Sequence, residues 1–461
     1  MKKIKKIILG IGIILALIIL ILPAPEGLSV QAKNVLAVFI LCVSCWMTNV
    51  LPLSVTGLIA IVAIPLFRIS DSKATFAYFG NSAVFFILGA FILATAMMKS
   101  GLSKRIAFLF LKRFDRGPRT LSFGILITSF LLAFLMPEHT VAALLFPIVL
   151  EIANSLNLKP LQSNLGKGLF LSLAWGTVIG GVATLLGGAR NPLAIEMLYE
   201  TYQLKITFLE WMITVVPLAT VIMVIAYGLL QLLFPSERTS VAEAQQSLSR
   251  AVQAMGKMSR AEWKVAIIAS ITIFAWVFLN AHIEVAIIAL LSAISLFIFN
   301  AVSWKDIEQY INWGIILMYG GAVTLGATLA DVGAMDWVAG HLFNQMKFTH
   351  FTAVLMLSCL SKLLTEGISN VAAVATLLPL GFGFADSLGI NPVIIVYVIA
   401  VQSGLAFCLP IGTPPNAIAF SAGYYRISDV IKGGIIMNVV ALLVFILFFK
   451  YYWGLIGIDI N

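Results

Sequence analysis

Long stretches without a charged residue constrain this chain more than anything else in it. Eleven uncharged runs take up most of its 461 residues: 34–67, 74–98, 120–137, 168–189, 211–236, 265–283, 285–304, 309–330, 367–385, 387–425 and 433–449. A helix needs roughly 20 apolar residues to cross a bilayer core, and only helices or closed barrels satisfy their own backbone there. Composition agrees: 61% of the residues are hydrophobic and 11% charged, against about 25% charged in soluble chains. The chain therefore reads as an all-α polytopic membrane protein of about 11 transmembrane helices.

A net charge of +9 could suggest nucleic acid, but the basic residues gather at the ends of apolar runs. Lys2, Lys3, Lys5 and Lys6 precede the first run, and segment 99–119 holds seven basic residues against Asp115 alone. By the positive-inside rule both are cytoplasmic. The expectation is a multi-pass protein of the cell membrane with its N-terminus in the cytoplasm and its C-terminus outside, and no nucleic-acid partner. Segment 7–22 reads as an uncleaved first helix, because Pro23-Ala24-Pro25 makes a poor signal-peptidase site. Cys42 and Cys45 have CxxC spacing inside an apolar run with no histidine near, so they read as small core residues, as do Cys359 and Cys408.

The chain also repeats itself. Phe79–Leu102 resembles Ile311–Ala334 at an offset of 232, and the same offset carries Met136–Pro147 onto Ile368–Pro379. Further on, LLGGARNPLAI maps onto PIGTPPNAIAF at an offset of 225, with Gly187 on Gly412 and Asn191 on Asn416. The organisation that follows is a first helix in 1–32, a first repeat in 33–235, a polar linker in 236–259 read as a solvated connector, and a second repeat in 260–461. Gly, Pro and Asn interruptions at matching places in two halves mark the binding region of a secondary transporter. Two re-entrant hairpins are expected where Gly80-Asn81-Ser82 and Asn312-Trp313-Gly314 open apolar stretches, with turns at Gly89 and at Gly320-Gly321.

SNVAAVATLLP from Ser369 and LPIGTPPNAIAFSAGYY from Leu409 resemble the second-half signature of the divalent-anion/sodium symporter family, the carriers of dicarboxylates, citrate and sulfate. The resemblance covers almost the whole chain. It implies two inverted repeats, an elevator-type transporter, a homodimer, and a substrate held between two hairpin tips and two unwound helices. It also implies that each half grips substrate with a Ser-Asn-Thr element and shares a sodium site with a TPPN-type loop. Carried over, Ser369, Asn370, Thr413 and Asn416 are substrate-side residues, with Val371 in the threonine position. Thr365, Asn370, Gly412 and Asn416 form the sodium cage, which makes sodium the one candidate cofactor.

The first half departs from this pattern. Pro137, Glu138 and His139 stand where the triplet is expected, Ala133 stands opposite Thr365, and Arg190 stands opposite Pro415 beside Asn191. Loss of the hydroxyl at Ala133 and a guanidinium at Arg190 exclude sodium, since unpaired cations a few ångströms apart repel strongly in a low dielectric. Arg190 reads as a tethered cation neutralised by Glu138, with a purely structural ion pair as the other reading. Glu138 or His139 as a proton carrier is a third. Glu138, His139, Arg190 and Asn191 complete the substrate-side set. Lys362 and Glu366, four apart, read as a helix-end pair near the membrane surface, and His282, His341 and His350 as solvated residues at span ends.

The expected function is secondary active transport of a small divalent anion of the C4-dicarboxylate, citrate or sulfate class. Transport proceeds by alternating access, coupled to a cation or exchanging anions. The alternative is an oxyanion or arsenite-type efflux carrier. An intramembrane enzyme is disfavoured, because HExxH, GxSxG, paired aspartates and phosphate-cradling loops are all missing. The expected partners are the anion, membrane lipid and a second copy of the chain.

Overall fold

The computed structural model describes residues 2–280, 282–343 and 348–458. Among the described residues every regular element is helical. Among these residues eight helical segments are long and apolar enough to cross a membrane, and four shorter apolar helices accompany them: Leu53–Leu66, Pro118–Leu132, Val285–Ile298 and Pro392–Gly404. The helix Lys2–Ile21 lies along Val30–Thr48. There Lys33 Nζ donates to the carbonyls of Leu20 and Leu22 at 3.0 and 2.7 Å, partnering C-terminal carbonyls that no helix can satisfy itself.

The repeat is written into the helix boundaries. Five helices of the first half begin 232 residues before their counterparts: Leu53–Leu66 and Val285–Ile298, Ser72–Phe79 and Trp304–Ile307, Leu102–Lys112 and Ala334–Phe343, Pro118–Leu132 and His350–Gly367, Glu138–Ser155 and Asn370–Leu388. The halves also exchange partners. Leu53–Leu66 packs against Trp313–Asp331, and its counterpart Val285–Ile298 packs against Ser82–Lys99.

Those crossings correct the expected position of the hairpins. Gly89 and Gly320-Gly321 lie inside the continuous helices Ser82–Lys99 and Trp313–Asp331. Their role is close approach: a Cβ on Gly321 would stand 2.3 Å from Gly57 Cα, and one on Gly89 would stand 2.6 Å from the carbonyl carbon of Ala289. Position 57 plus 232 is 289, so this is one crossing made twice. Small residues let helix backbones meet this way in membranes. The helix–break–helix units come later in each half. Pro118–Leu132 and Glu138–Ser155 flank a break at 133–137, and His350–Gly367 and Asn370–Leu388 flank a break at 368–369. Links of two to five residues join antiparallel helices.

Each half then carries an interrupted helix. Asn164–Ala183 stops at 184–189 before Arg190–Tyr202, and Pro392–Gly404 stops at 405–413 before Pro414–Ser421. The polar stretch 236–259 is more than a solvated connector. Its helix Ala242–Ala254 buries Ala244 and Leu248 and packs on Leu102–Lys112 and Glu138–Ser155. Arg105 fixes its end, donating to the carbonyls of Met255, Gly256 and Lys257 and pairing with Glu262 at 2.7 Å.

Candidate functional site

The four breaks meet. Glu138 begins one helix after a break and Asn370 begins its counterpart, so both N-termini, with their unpaired N–H groups and positive dipole ends, lie in one place. Asn370 Nδ2 donates to Glu138 Oε1 at 3.3 Å, and the other Glu138 oxygen receives Arg190 Nη1 at 3.1 Å. On the far side Thr365 Oγ1 lies 2.7 Å from Asn370 Oδ1 and 2.5 Å from the Ser403 carbonyl, its one hydroxyl proton shared between the two acceptors. One chain of contacts thus runs from the first interrupted helix, through Arg190, Glu138, Asn370 and Thr365, to the second.

Two asparagines hold the interrupted helices in the same way. Asn191 Nδ2 donates to the carbonyls of Gly181, Val182 and Thr184 at 3.2, 3.5 and 2.7 Å, and Asn416 Nδ2 donates to those of Ala406 and Leu409 at 3.0 and 3.5 Å. Adding 225 to 181, 184 and 191 gives 406, 409 and 416. Backbone freed by a break must be satisfied inside the membrane, and an amide side chain at the head of the next helix does so in both halves. Gly187 and Gly412 are equivalent too: a Cβ would meet the Ala133 carbonyl at 2.4 Å and the Thr365 carbonyl at 3.0 Å, respectively.

Residues 2–458 match the family model of the sodium:sulfate symporter transmembrane region. The chain belongs to the sodium:sulfate symporter family. This symporter-family protein is 25% identical to the sodium-dependent dicarboxylate transporter SdcS of Staphylococcus saprophyticus over 98% of its own length and 92% of that protein. To SdcS of Staphylococcus aureus strain USA300 it is 26% identical over the same shares. In fold it is similar to MtrF of Neisseria gonorrhoeae, with a TM-score of 0.58 and 11% identity over 100% of this chain and 96% of that one. The YdaH transporter of Alcanivorax borkumensis gives 0.56 and 15% over 83% and 87%. The symporter-family chain is a multi-pass membrane transporter and not an enzyme.

The two halves differ in charge at their breaks. Arg190 is 1% exposed and its guanidinium is packed between Gly188 and Gly404, where Cβ atoms would come within 2.6 and 2.3 Å of it. Its Nε and Nη2 find no protein partner. His139 is half-buried, its ring edge-on to Phe91 at 6.2 Å. In the second half Ser369 and Thr413 cap helices, their hydroxyls accepting the N–H of Ala372 and of Asn416 at 3.2 and 3.4 Å.

Lys362 and Glu366 are not a surface pair. Lys362 is buried and donates to the Leu405 carbonyl at 3.0 Å. Glu366 accepts the N–H groups of Phe407, Cys408 and Leu409 at 2.9 to 3.1 Å and Asn438 Nδ2 at 2.7 Å. The i,i+4 spacing is the same on a surface helix; here Lys362 takes a carbonyl and Glu366 takes N–H groups of the break at 405–413. Of the three histidines expected to be solvated, His282 and His341 are exposed, while His350 is half-buried and bonded through Nε2 to the Leu388 carbonyl at 2.9 Å. Tyr319 and Gln402, fully buried with unpartnered polar atoms, carried no motif that could single them out.

Proposed function

We propose that the protein is a secondary active transporter of small divalent anions, of the C4-dicarboxylate, citrate or sulfate class. The observation that carries this reading is the meeting of two repeat-related helix N-termini, at Glu138 and Asn370, between two interrupted helices. N-terminal N–H groups and dipoles favour negative charge without supplying a fixed cation. Family membership and the dicarboxylate named for both SdcS relatives support it. Ser369, Asn370, Thr413 and Asn416 from the second half, and His139 and Asn191 from the first, line the substrate position in this reading. The helix–break–helix units and the interrupted helices move as one body past the frame of crossing helices, in an elevator mechanism, and the protein is a homodimer. Its N-terminus is cytoplasmic and its C-terminus external.

The half-sites divide the coupling. Thr365, Asn370, Gly412 and Asn416 present hydroxyl, amide and backbone oxygens, the donor types a hard cation such as sodium takes. In the first half Arg190, neutralised by Glu138, stands in for a sodium ion. Reconstituted protein is expected to take up labelled succinate, citrate, malate or sulfate in counterflow, with a sodium dependence that corresponds to a single site. Uptake of none of these anions would sink the reading. In Arg190→Pro with Glu138→Asn, an unchanged sodium dependence would sink the tethered-cation part alone.

A further inference from the structure

Glu196 lies outside the chain of contacts just described, yet it is 7% exposed. It sits on Arg190–Tyr202, the second piece of the first interrupted helix. Oε2 accepts one side-chain hydrogen bond, from Ser82 Oγ at 2.9 Å. Among the described residues no cation pairs with it. Ser82 is the first residue of the frame helix Ser82–Lys99, so this bond joins the body that carries the half-site to the frame it packs on.

A cavity of about 110 Å³ lies against the carboxylate. Leu185 and Pro192, from the first break and the helix after it, line its inner end; Lys205 and Glu284, 62% and 55% exposed with Nζ and Oε1 3.8 Å apart, line its mouth. Its walls are mostly apolar, but Ser82, Glu196, Lys205, Thr207, Asn280 and Glu284 offer polar groups among them, and space of that size holds several waters. The titratable groups around Glu196 are Tyr199 and Glu200 on its own helix, Lys205 in the following loop, and Glu284 at the head of Val285–Ile298. The frame helix Ser82–Lys99 contributes the hydroxyl of Ser82.

A buried carboxylate without a paired cation needs water and donors around it, or a proton on it. The cavity and Ser82 meet the first need in the arrangement described. Displacement of Arg190–Tyr202 along the frame removes both, and an unpaired charge inside a membrane is costly enough to demand neutralisation. We propose that Glu196 is a proton-carrying site that couples anion transport to the pH gradient. A hydronium ion in the cavity gives its proton to the Glu196 carboxylate, the neutral acid travels with the loaded body, and the proton returns to water on the other side. Only an O–H bond is made and broken. The inference rests on the reading of the protein as an anion transporter whose body moves.

The test uses full-length protein in liposomes of phosphatidylethanolamine and phosphatidylglycerol, with labelled succinate and trapped pyranine to report internal pH. Wild type is expected to concentrate succinate when the outside is more acidic and to acidify the lumen as it does so. In Glu196→Gln the ratio of gradient-driven uptake to counterflow falls by about tenfold and succinate-linked acidification disappears. Glu196→Asp restores part of both, which a purely structural role would not predict. Ser82→Ala, which keeps the carboxylate, displaces the pH midpoint of uptake by about half a unit. Succinate-linked acidification that persists in Glu196→Gln overturns the proposal and leaves the transporter reading intact. Wild type that exchanges succinate but ignores pH does the same. Wild type that moves no anion overturns both.

Discussion

Glu138 and Asn370 occupy the same position in the two repeats, 232 residues apart, and are bonded to each other, Asn370 Nδ2 donating to Glu138 Oε1 at 3.3 Å. Equivalent positions thus meet across the pseudo-symmetry: the carboxylate of the first half accepts from the amide of the second. Its second oxygen binds Arg190, so charge is balanced within the site.

Breaking that balance is costly. Glu138→Gln leaves a guanidinium at 1% exposure with no counter-charge, and removing one partner of a buried ion pair costs about 3–5 kcal/mol. Thermal unfolding in detergent is expected to show a large loss for the single variant and recovery of most of it in Glu138→Gln with Arg190→Met, because removing both charges removes the desolvation cost as well. A single variant as stable as wild type would mean that water, not Glu138, screens Arg190.

The glycine crossings make a second, independent claim. Gly321→Ala and Gly89→Ala place a methyl within 2.3 and 2.6 Å of backbone on the facing helix, and such overpacking costs about 1–3 kcal/mol. Gly10→Ala, with nothing within 4 Å, is expected to hold or gain stability, since alanine is the better helix former. Equal melting temperatures for all three variants would contradict the packing.

Much of this architecture was legible in the residues. Uncharged runs revealed the membrane, and the 232-residue offset located helices that begin in register to the residue. Arg190 and Glu138 stood out as charges in an apolar surround. The position of the hairpins is not legible, because a glycine at a helix crossing and a glycine at a turn look alike in one sequence; only Gly57 and Ala289, far along the chain, distinguish them. The true break at 133–137 hides among apolar residues, and only Pro137 marks it. The partners of Lys362 and Glu366 are hidden for a related reason. Periodicity reports which residues share a helix face, and says nothing of which non-helical segment that face meets.

Outside the membrane-spanning helices, Glu237 ties the start of the polar stretch 236–259 to the head of Asn164–Ala183. It accepts from Ser163 Oγ and from the Leu165 N–H, the latter at 3.0 Å. Partial burial pushes its carboxyl upward, but the Ser163 hydroxyl and the backbone N–H groups outweigh burial and hold it below the usual carboxylate value of 4.5. A depressed folded-state value means stability that is present above the unfolded value and is lost as pH falls through the folded one. Glu237→Gln is therefore expected to lower the melting temperature at neutral pH, with the difference from wild type shrinking as pH falls below about 4. A gap that stays constant across a melting-temperature series from neutral to acid would rule out the carboxylate as its cause.

The last prediction concerns the break at 405–413. Three consecutive N–H groups, those of Phe407, Cys408 and Leu409, end on the Glu366 carboxylate, and Lys362 holds the Leu405 carbonyl from the same helix. Hydrogen bonds to a charged group contribute about 1.5–3 kcal/mol each, so this carboxylate is what keeps an irregular segment ordered next to the Thr365, Asn370, Gly412 and Asn416 oxygens. Glu366→Ala is expected to speed amide hydrogen exchange at 407–409 by at least about tenfold, while exchange at the equivalent first-half break, 184–189, stays as in wild type. Glu366→Gln, which keeps an acceptor oxygen but removes the charge, should fall between the two. Because the break carries Gly412 of the proposed cation cage, the sodium concentration for half-maximal uptake should rise in the same order, wild type, Gln, Ala. Faster exchange with no change in sodium dependence would separate the ordered break from the cation cage and remove sodium from the second half-site.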